Sequence, residues 1–103
     1  MSLLAKRTWV FTSTGAGTAV DLGGRGSEVS FYCWTDANAT CSINIETAWE
    51  GSSPYATLGA AISLTTGACA VRQYTGAFCL LRPCVTDASS GTVVVGLIGN
   101  EAK

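Results

Sequence analysis

The sequence predicts an all-β protein: a single antiparallel β-sandwich of about eight short strands, a class that includes the jelly roll. Three observations support this prediction. Apolar residues alternate with polar residues over short runs, which is the period of a half-buried strand. Clusters of Gly, Ser, Thr and Asp separate these runs at intervals of roughly 8–12 residues. No segment has the apolar periodicity of a helix, and no internal repeat is visible.

The clearest strand pattern occupies residues 29–47. In Val29–Trp34 and again in Cys41–Glu46, apolar residues at odd positions alternate with polar or bulky residues at even positions. Asp36-Ala37-Asn38-Ala39 lies between these two arms, and Asp and Asn tolerate tight turns. We therefore predict a β-hairpin here, around which the other strands pack.

Six further strands are predicted between turns, most of them by alternation, one by successive apolar residues at 78–81 and the last by its β-branched residues. They are Thr8–Ser13, Thr18–Leu22, Tyr55–Leu64, Ala68–Tyr74, Ala77–Val85 and Thr92–Ile98. The composition of Tyr55–Leu64 also suits a helix, but Gly59 and the alternation favour a strand. Residues 1–7 are predicted to be an N-terminal arm without a strand partner, residues 8–99 the sandwich domain, and residues 100–103 a C-terminal tail.

The composition excludes several classes of function. The 103 residues suit one domain, and 13% of them are charged, against a usual ~25%. A weakly charged surface favours contact with other proteins, because little charge must be desolvated on docking. The basic residues are scattered and the net charge is −1, so we expect no nucleic-acid binding. No apolar run approaches the ~20 residues that span a bilayer, so we expect no membrane partner.

The N-terminal residues do not follow the order of a secretory signal. Such a signal places positive charge before an apolar run, whereas Leu3-Leu4-Ala5 precede Lys6-Arg7 here. We therefore expect synthesis and folding in a cytoplasm, where thiols stay reduced. Five cysteines, an odd number, agree with buried free thiols, although Cys33 and Cys41 face inward on the two predicted arms and a bridge between them remains an alternative.

We expect no catalytic residue, no metal site and no cofactor. The chain contains no His, which excludes Ser-His-Asp and Cys-His arrangements and makes a structural zinc site improbable. The acidic residues occur singly, and the glycine clusters do not match a phosphate-binding loop. Cys84 lies two positions from Arg82, but the neighbouring Pro83 and apolar residues favour a packed thiol.

Two aromatic residues are predicted on the outer face of the sandwich. Tyr32 and Trp34 alternate with the inward Val29, Phe31 and Cys33, so they point away from the core. Exposed aromatic residues on a strand indicate a protein interface or a platform for sugar rings. The third interpretation is that another part of the chain covers them. Trp49 and Tyr55 are the other two aromatic candidates for sugar binding.

Four stretches resemble the layout of small β-sandwich structural proteins of tailed bacteriophages. A glycine turn leading to the strand TAVDL, Gly15–Leu22, precedes a Gly/Arg turn, Gly23–Gly26. A VSFYCW-type strand follows at Val29–Trp34. In Ile43–Gly59 a strand is followed by a tryptophan-bearing loop and then by Leu-Gly. The resemblance covers the chain from Thr8 to Ile98, and the five cysteines are a departure from it.

This resemblance implies a non-enzymatic virion protein, best matched in size and fold by a capsid decoration (cement) protein. Such proteins bind the capsid exterior, commonly as trimers, and bridge neighbouring capsid subunits. The implied partners are the major capsid protein and other copies of the chain, after synthesis in the host cytoplasm. A tail, connector or head-fibre component and a small carbohydrate- or receptor-binding module are the alternatives. The candidate interface residues are Leu3, Leu4, Lys6, Arg7, Tyr32, Trp34, Trp49 and Tyr55.

Overall fold

The computed structural model describes residues 3–36, 40–65, 67–88 and 91–101, and its regular elements are all strands. Two antiparallel sheets result, so the predicted β-sandwich is confirmed. No helix in the described ranges is long and apolar enough to cross a membrane. The strands are β1 Leu3–Phe11, β2 Gly15–Ala16, β3 Val20–Asp21, β4 Gly26–Thr35, β5 Cys41–Ala48, β6 Ala56–Leu64, β7 Cys69–Ala77, β8 Leu80–Ala88 and β9 Val93–Glu101.

The strand order is that of a jelly roll. The front sheet has the order β1-β9-β4-β7, and the back sheet has the order β2-β8-β5-β6, with β3 pairing with β8 beside β2. When β2 and β3 are counted as one interrupted strand, eight strands remain and pair first with last, second with seventh, third with sixth and fourth with fifth. This is a long hairpin rolled into two sheets, the topology that the sequence left open within its class.

The inward faces of the two sheets form one apolar core. On β4 every inward position is buried and no outward position is, as the alternation predicts. Phe31 has no exposed surface and contacts two aromatic rings: it stacks on Trp9 at 6.5 Å between centroids and meets Tyr74 edge-on at 6.1 Å. The back sheet contributes Ile43, Ile45 and Leu81, which are fully buried as well.

The predicted hairpin at residues 29–47 is wrong. Both arms are strands, but β4 pairs with β7 and β9 in the front sheet, while β5 pairs with β6 and β8 in the back sheet. Alternation tells which residues face inward, and two strands on opposite sheets satisfy it as well as two paired strands do. Ala37-Asn38-Ala39 of the predicted turn lie outside the described residues. Cys33 and Cys41 are both buried and free.

The N-terminal residues are not an arm without a strand partner. Leu3–Arg7 form the first half of β1, which pairs with β9 along its length. A bulge between Leu3 and Ala5 interrupts the alternation, which explains why no strand pattern is visible there. Asn100 and Glu101 of the predicted tail belong to β9, opposite β1 and β4. Met1, Ser2, Ala102 and Lys103 lie outside the described residues.

The boundary between β7 and β8 also differs from the prediction. Thr75-Gly76 is not a turn, because β7 continues to Ala77 and the Ser27 hydroxyl donates to the Gly76 carbonyl at 3.0 Å. Pro83 lies in the middle of β8. Its carbonyl accepts a hydrogen bond from the Gly17 amide at 2.8 Å. The nitrogen and carbonyl of one strand residue point to the same side, so the Pro83 nitrogen also faces the gap between β2 and β3. No N–H donor to a neighbouring strand is needed there, which is why proline is tolerated.

Trp9 fixes the segment that crosses this gap. Its indole nitrogen donates to the Thr18 carbonyl at 3.0 Å, while its ring packs in the core. Gly17 lies directly against the ring: a Cβ there would be 2.6 Å from Trp9 Cδ1. The absence of a side chain at Gly17 therefore allows the β2–β3 segment to close over Trp9.

We predict that Gly17→Ala destabilises the fold by roughly 1–3 kcal/mol, because the added methyl displaces a buried ring. The melting temperature should fall by several degrees in differential scanning calorimetry. Gly51→Ala is the matched control, since a Cβ at Gly51 meets nothing within 4 Å. Equal melting temperatures for the two variants would contradict the role assigned to Gly17.

Candidate functional site

The outer face of the front sheet carries an apolar surface at one end. In the strand pairing, Val10, Val94, Trp34 and Cys69 form one row across the sheet, and Thr8, Gly96, Tyr32 and Val71 form the next. The exposed fractions are 65% for Val10, 47% for Tyr32, 43% for Trp34 and 47% for Val71. The described residues therefore leave both predicted aromatic side chains uncovered.

An open concavity of about 510 Å³ lies within this surface. Gly96 forms part of its lining, because a central strand without a side chain at that point leaves a depression between the neighbouring side chains. The Trp34 ring borders it: a Cβ on Gly96 would be 3.9 Å from Trp34 Cζ3, an ordinary contact. We call this depression the front concavity; its lining includes Thr8, Tyr32, Trp34, Val71, Gly96 and Ile98.

The charged groups at the front concavity are all positive. Lys6 and Arg7 line it where β1 forms the edge of the sheet, and no Asp or Glu is among its lining residues. Arg7 shares the inward side of β1 with Trp9, and its guanidinium lies 5.9 Å from the centroid of that buried ring. Lys6 is therefore the basic side chain that faces the concavity. Within the described residues, neither Lys6 nor Arg7 forms an ion pair with a carboxylate. The site therefore combines an apolar depression with an unneutralised basic border.

The outer face of the back sheet has a different character. On this face Tyr55 stacks on the Arg82 guanidinium at 3.5 Å from the ring centroid. Arg82 in turn forms an ion pair with Glu46, Nε to Oε1, at 2.8 Å. Around this group the outward residues are mostly small or polar, as on β5, where Ser42 and Asn44 are half-buried. Tyr55 is thus engaged within its own chain.

The eight predicted interface residues fall into two groups. Lys6, Arg7, Tyr32 and Trp34 meet at the front concavity. The other four do not: Leu3 is exposed farther along β1, Leu4 packs against the core, Tyr55 lies on the back sheet, and Trp49 follows β5 at 77% exposure.

Sequence reasoning missed Val71, Gly96 and Ile98 as site residues. Alternation places Val71 and Cys69 on one face of their strand without showing which face is inward, and both are exposed. The alternation of β7 is symmetric enough that either face could be inward. Gly96 interrupts a run of β-branched residues, which is a usable signal for a depression in a sheet. This signal locates the site only when the strand pairing is known, because Tyr32 lies directly opposite Gly96.

Three cysteine thiols have raised pKa values, whereas a nucleophilic thiol needs a lowered one. Burial, followed by the nearby Cys41, raises the pKa of Cys33 to about 11. Burial also raises the pKa of Cys41 and that of Cys84, and at Cys84 the Glu46 carboxylate adds to the rise while Arg82 opposes it. A thiol needs a lowered pKa to act as a nucleophile at neutral pH. Within the described ranges, no three His, Cys, Asp or Glu residues are grouped to hold a metal ion.

No family model matches the sequence, and no curated protein matches it. The structural comparison finds the SPBc2 prophage-derived protein YomS, with a TM-score of 0.57 and 12% identity over 93% of this chain and 94% of that one. It also finds a protein of Bacillus endospore appendages, a family of disulfide-linked pili, with a TM-score of 0.52 and 14% identity over 99% of this chain and 90% of that one. At these identities the likeness is one of fold.

The raised pKa of Cys33 predicts a loss of stability at alkaline pH. The unfolded thiol ionises near 9.0, whereas the folded thiol keeps its proton to about 11. Between these values the folded state binds more protons than the unfolded state, so the free energy of unfolding falls as pH rises. Melting curves from pH 8 to pH 11 should show this fall, with a shallower slope for Cys33→Ala. An equal slope in the variant would contradict the assignment.

Proposed function

We propose that this protein is a non-enzymatic structural component of a bacteriophage particle, and specifically a capsid decoration protein on the outer capsid surface. The observation that carries the proposal is the front concavity, an exposed apolar surface with a basic border on the front sheet. A large uncovered apolar surface of this kind is typical of a docking site for another protein. The proposed role is to dock on neighbouring proteins of the shell and add buried surface across their seams.

Several features support a structural role over chemistry. The described thiols with shifted pKa values are held in the protonated form, and no carboxylate is among the lining residues of the concavity. The fold resembles that of a prophage-derived protein along nearly the whole of both chains. The sequence layout from Thr8 to Ile98 resembles small structural proteins of tailed bacteriophages, which supports the same assignment independently.

A carbohydrate-binding role fits the site less well. Sugar recognition needs polar groups that fix the hydroxyls beside the stacking ring. The front concavity offers few: its lining is apolar apart from Lys6, Arg7, Thr8 and the polar tips of Tyr32 and Trp34. Trp49 and Tyr55, the other aromatic candidates, lie elsewhere. A tail, connector or head-fibre component would use the same surface to dock on other proteins and would differ only in its location in the particle.

A second candidate is a subunit of an extracellular appendage. The likeness to a pilus protein, which covers 99% of this chain, favours it. Pilus subunits repeat along one axis, whereas decoration proteins cover a closed shell. The two roles therefore differ in where the protein is found and in how many copies each particle carries.

The copy number in purified particles tests the proposal. Quantitative mass spectrometry of virions should give hundreds of copies of this chain, close to one for each major capsid protein. A few to a few dozen copies would place it at the tail, connector or a vertex instead. If the chain is absent from virions and present in a cell-surface fibre fraction, the virion assignment is wrong and the appendage role replaces it.

We predict that the double variant Tyr32→Ser with Trp34→Ser folds but is not incorporated into particles. Both side chains are nearly half exposed, so their removal should change stability by no more than about 1 kcal/mol. The loss of two aromatic anchors should reduce docking by at least ~30-fold. Leu3→Ser is the matched control, because Leu3 is 59% exposed and lies outside the concavity. Wild-type incorporation of the double variant would refute the docking role of this surface.

A further inference from the structure

Trp49 is the most exposed large apolar side chain in the described residues, at 77%. It follows the last residue of β5, in the connection that leads to β6 on the back sheet. Glu50 comes directly after it. The connection therefore carries an exposed indole ring and an exposed carboxylate on consecutive residues, and the ring is not part of the core cluster.

Hydrogen bonds hold this connection in a defined shape. The Glu50 carbonyl accepts from the Ser53 amide at 3.1 Å and from the Ser53 hydroxyl at 2.8 Å, and the Ser53 oxygen accepts from the Glu50 amide at 3.0 Å. The Ser52 hydroxyl donates to Glu50 Oε1 at 3.2 Å. A loop closed in this way loses little conformational entropy when it binds. The loop around Trp49 therefore has a defined shape before binding, and the Trp49 side chain protrudes from it.

The front concavity has the complementary properties. Its volume of about 510 Å³ is larger than an indole ring needs, and its lining is predominantly apolar. Lys6 borders it without a carboxylate partner in the described part of the chain. An occupant that satisfies both features needs a large apolar side chain with an acidic group next to it. Trp49-Glu50 has this chemistry.

One chain cannot make this contact with itself, because Trp49 lies in a connection between two strands of the back sheet and the concavity opens on the outer face of the front sheet. We infer that Trp49 of one copy inserts into the front concavity of a second copy, with Glu50 placed against Lys6. This inference rests on the proposed docking role of the concavity and names its occupant. The contact is head-to-tail, so it closes into a ring, such as the trimer, or continues as a filament.

Two complementary variants test this contact. Trp49→Ser removes the anchor and keeps the concavity, whereas Gly96→Val fills the concavity and keeps the anchor. A Cβ at Gly96 meets nothing closer than 3.9 Å, so the substitution should be tolerated in the strand. Sedimentation-velocity measurements on the purified full chain, alone and in equimolar mixture, report the assembly state. Circular dichroism checks that each variant is folded.

We expect the wild-type chain to form a ring or filament and each variant alone to be monomeric, with association weakened by at least ~30-fold. The mixture should form a heterodimer and nothing larger, because only one intact contact remains. A wild-type chain that stays monomeric at millimolar concentration would overturn the inference and leave the concavity to a different protein. Unchanged assembly of Trp49→Ser, or a mixture that stays monomeric, would overturn it as well.

The charged part of the contact has its own test, which also serves if Gly96→Val does not fold. Lys6→Glu should weaken assembly by repelling Glu50, and Glu50→Lys should weaken it by repelling Lys6. An equimolar mixture of the two proteins should assemble again with the two chains alternating. Each contact then joins one acidic and one basic group: the unchanged Glu50 of one protein meets the unchanged Lys6 of the other, and the two substituted positions meet with exchanged charges. Leu3→Ser, as the control, should assemble like the wild type. Assembly that ignores all of these charge changes would contradict the placement of Glu50.

Discussion

The burial of Phe31 governs how the rest of the molecule is arranged. Its side chain is fully buried in the core that the inward faces of the two sheets form. Trp9 from β1 and Tyr74 from β7 contact its ring from two sides, which ties both edges of the front sheet to one centre. With Val29, Phe31 and Cys33 committed to the core, the alternate positions on β4 must face outward. The exposure of Tyr32 and Trp34 is therefore a consequence of the same packing that holds the fold together.

The faces of the strands were predictable from the sequence, and their partners were not. Period-two alternation identified β4 and β5 with their inward residues, because burial of one face is a local property. It could not show that these strands lie in opposite sheets, because pairing depends on residues far apart in the chain. The same limit applies to β1, where a bulge between Leu3 and Ala5 hides the alternation and β9 supplies a partner from the other end of the chain.

The candidate site was half predictable for a related reason. Tyr32 and Trp34 follow from alternation on one strand, but the concavity is a property of three paired strands. It exists because Gly96 lies opposite Tyr32 and Thr8, and because the pairing of β1 carries Lys6 to its border. Tyr55 is the opposite case, a residue that the sequence predicts at an interface but that is engaged within its own chain. Arg82 stacks on its ring, and Glu46 forms an ion pair with that guanidinium.

The most direct test of the claim that the front concavity is the docking surface is a comparison of side-chain accessibility in two states. Hydroxyl-radical labelling followed by mass spectrometry reports Tyr32, Trp34 and Tyr55 in the free protein and in purified particles. We predict that labelling of Tyr32 and Trp34 falls several-fold in particles while labelling of Tyr55 is unchanged. Equal labelling of Tyr32 and Trp34 in both states would contradict the account, and protection of Tyr55 alone would move the docking surface to the back sheet.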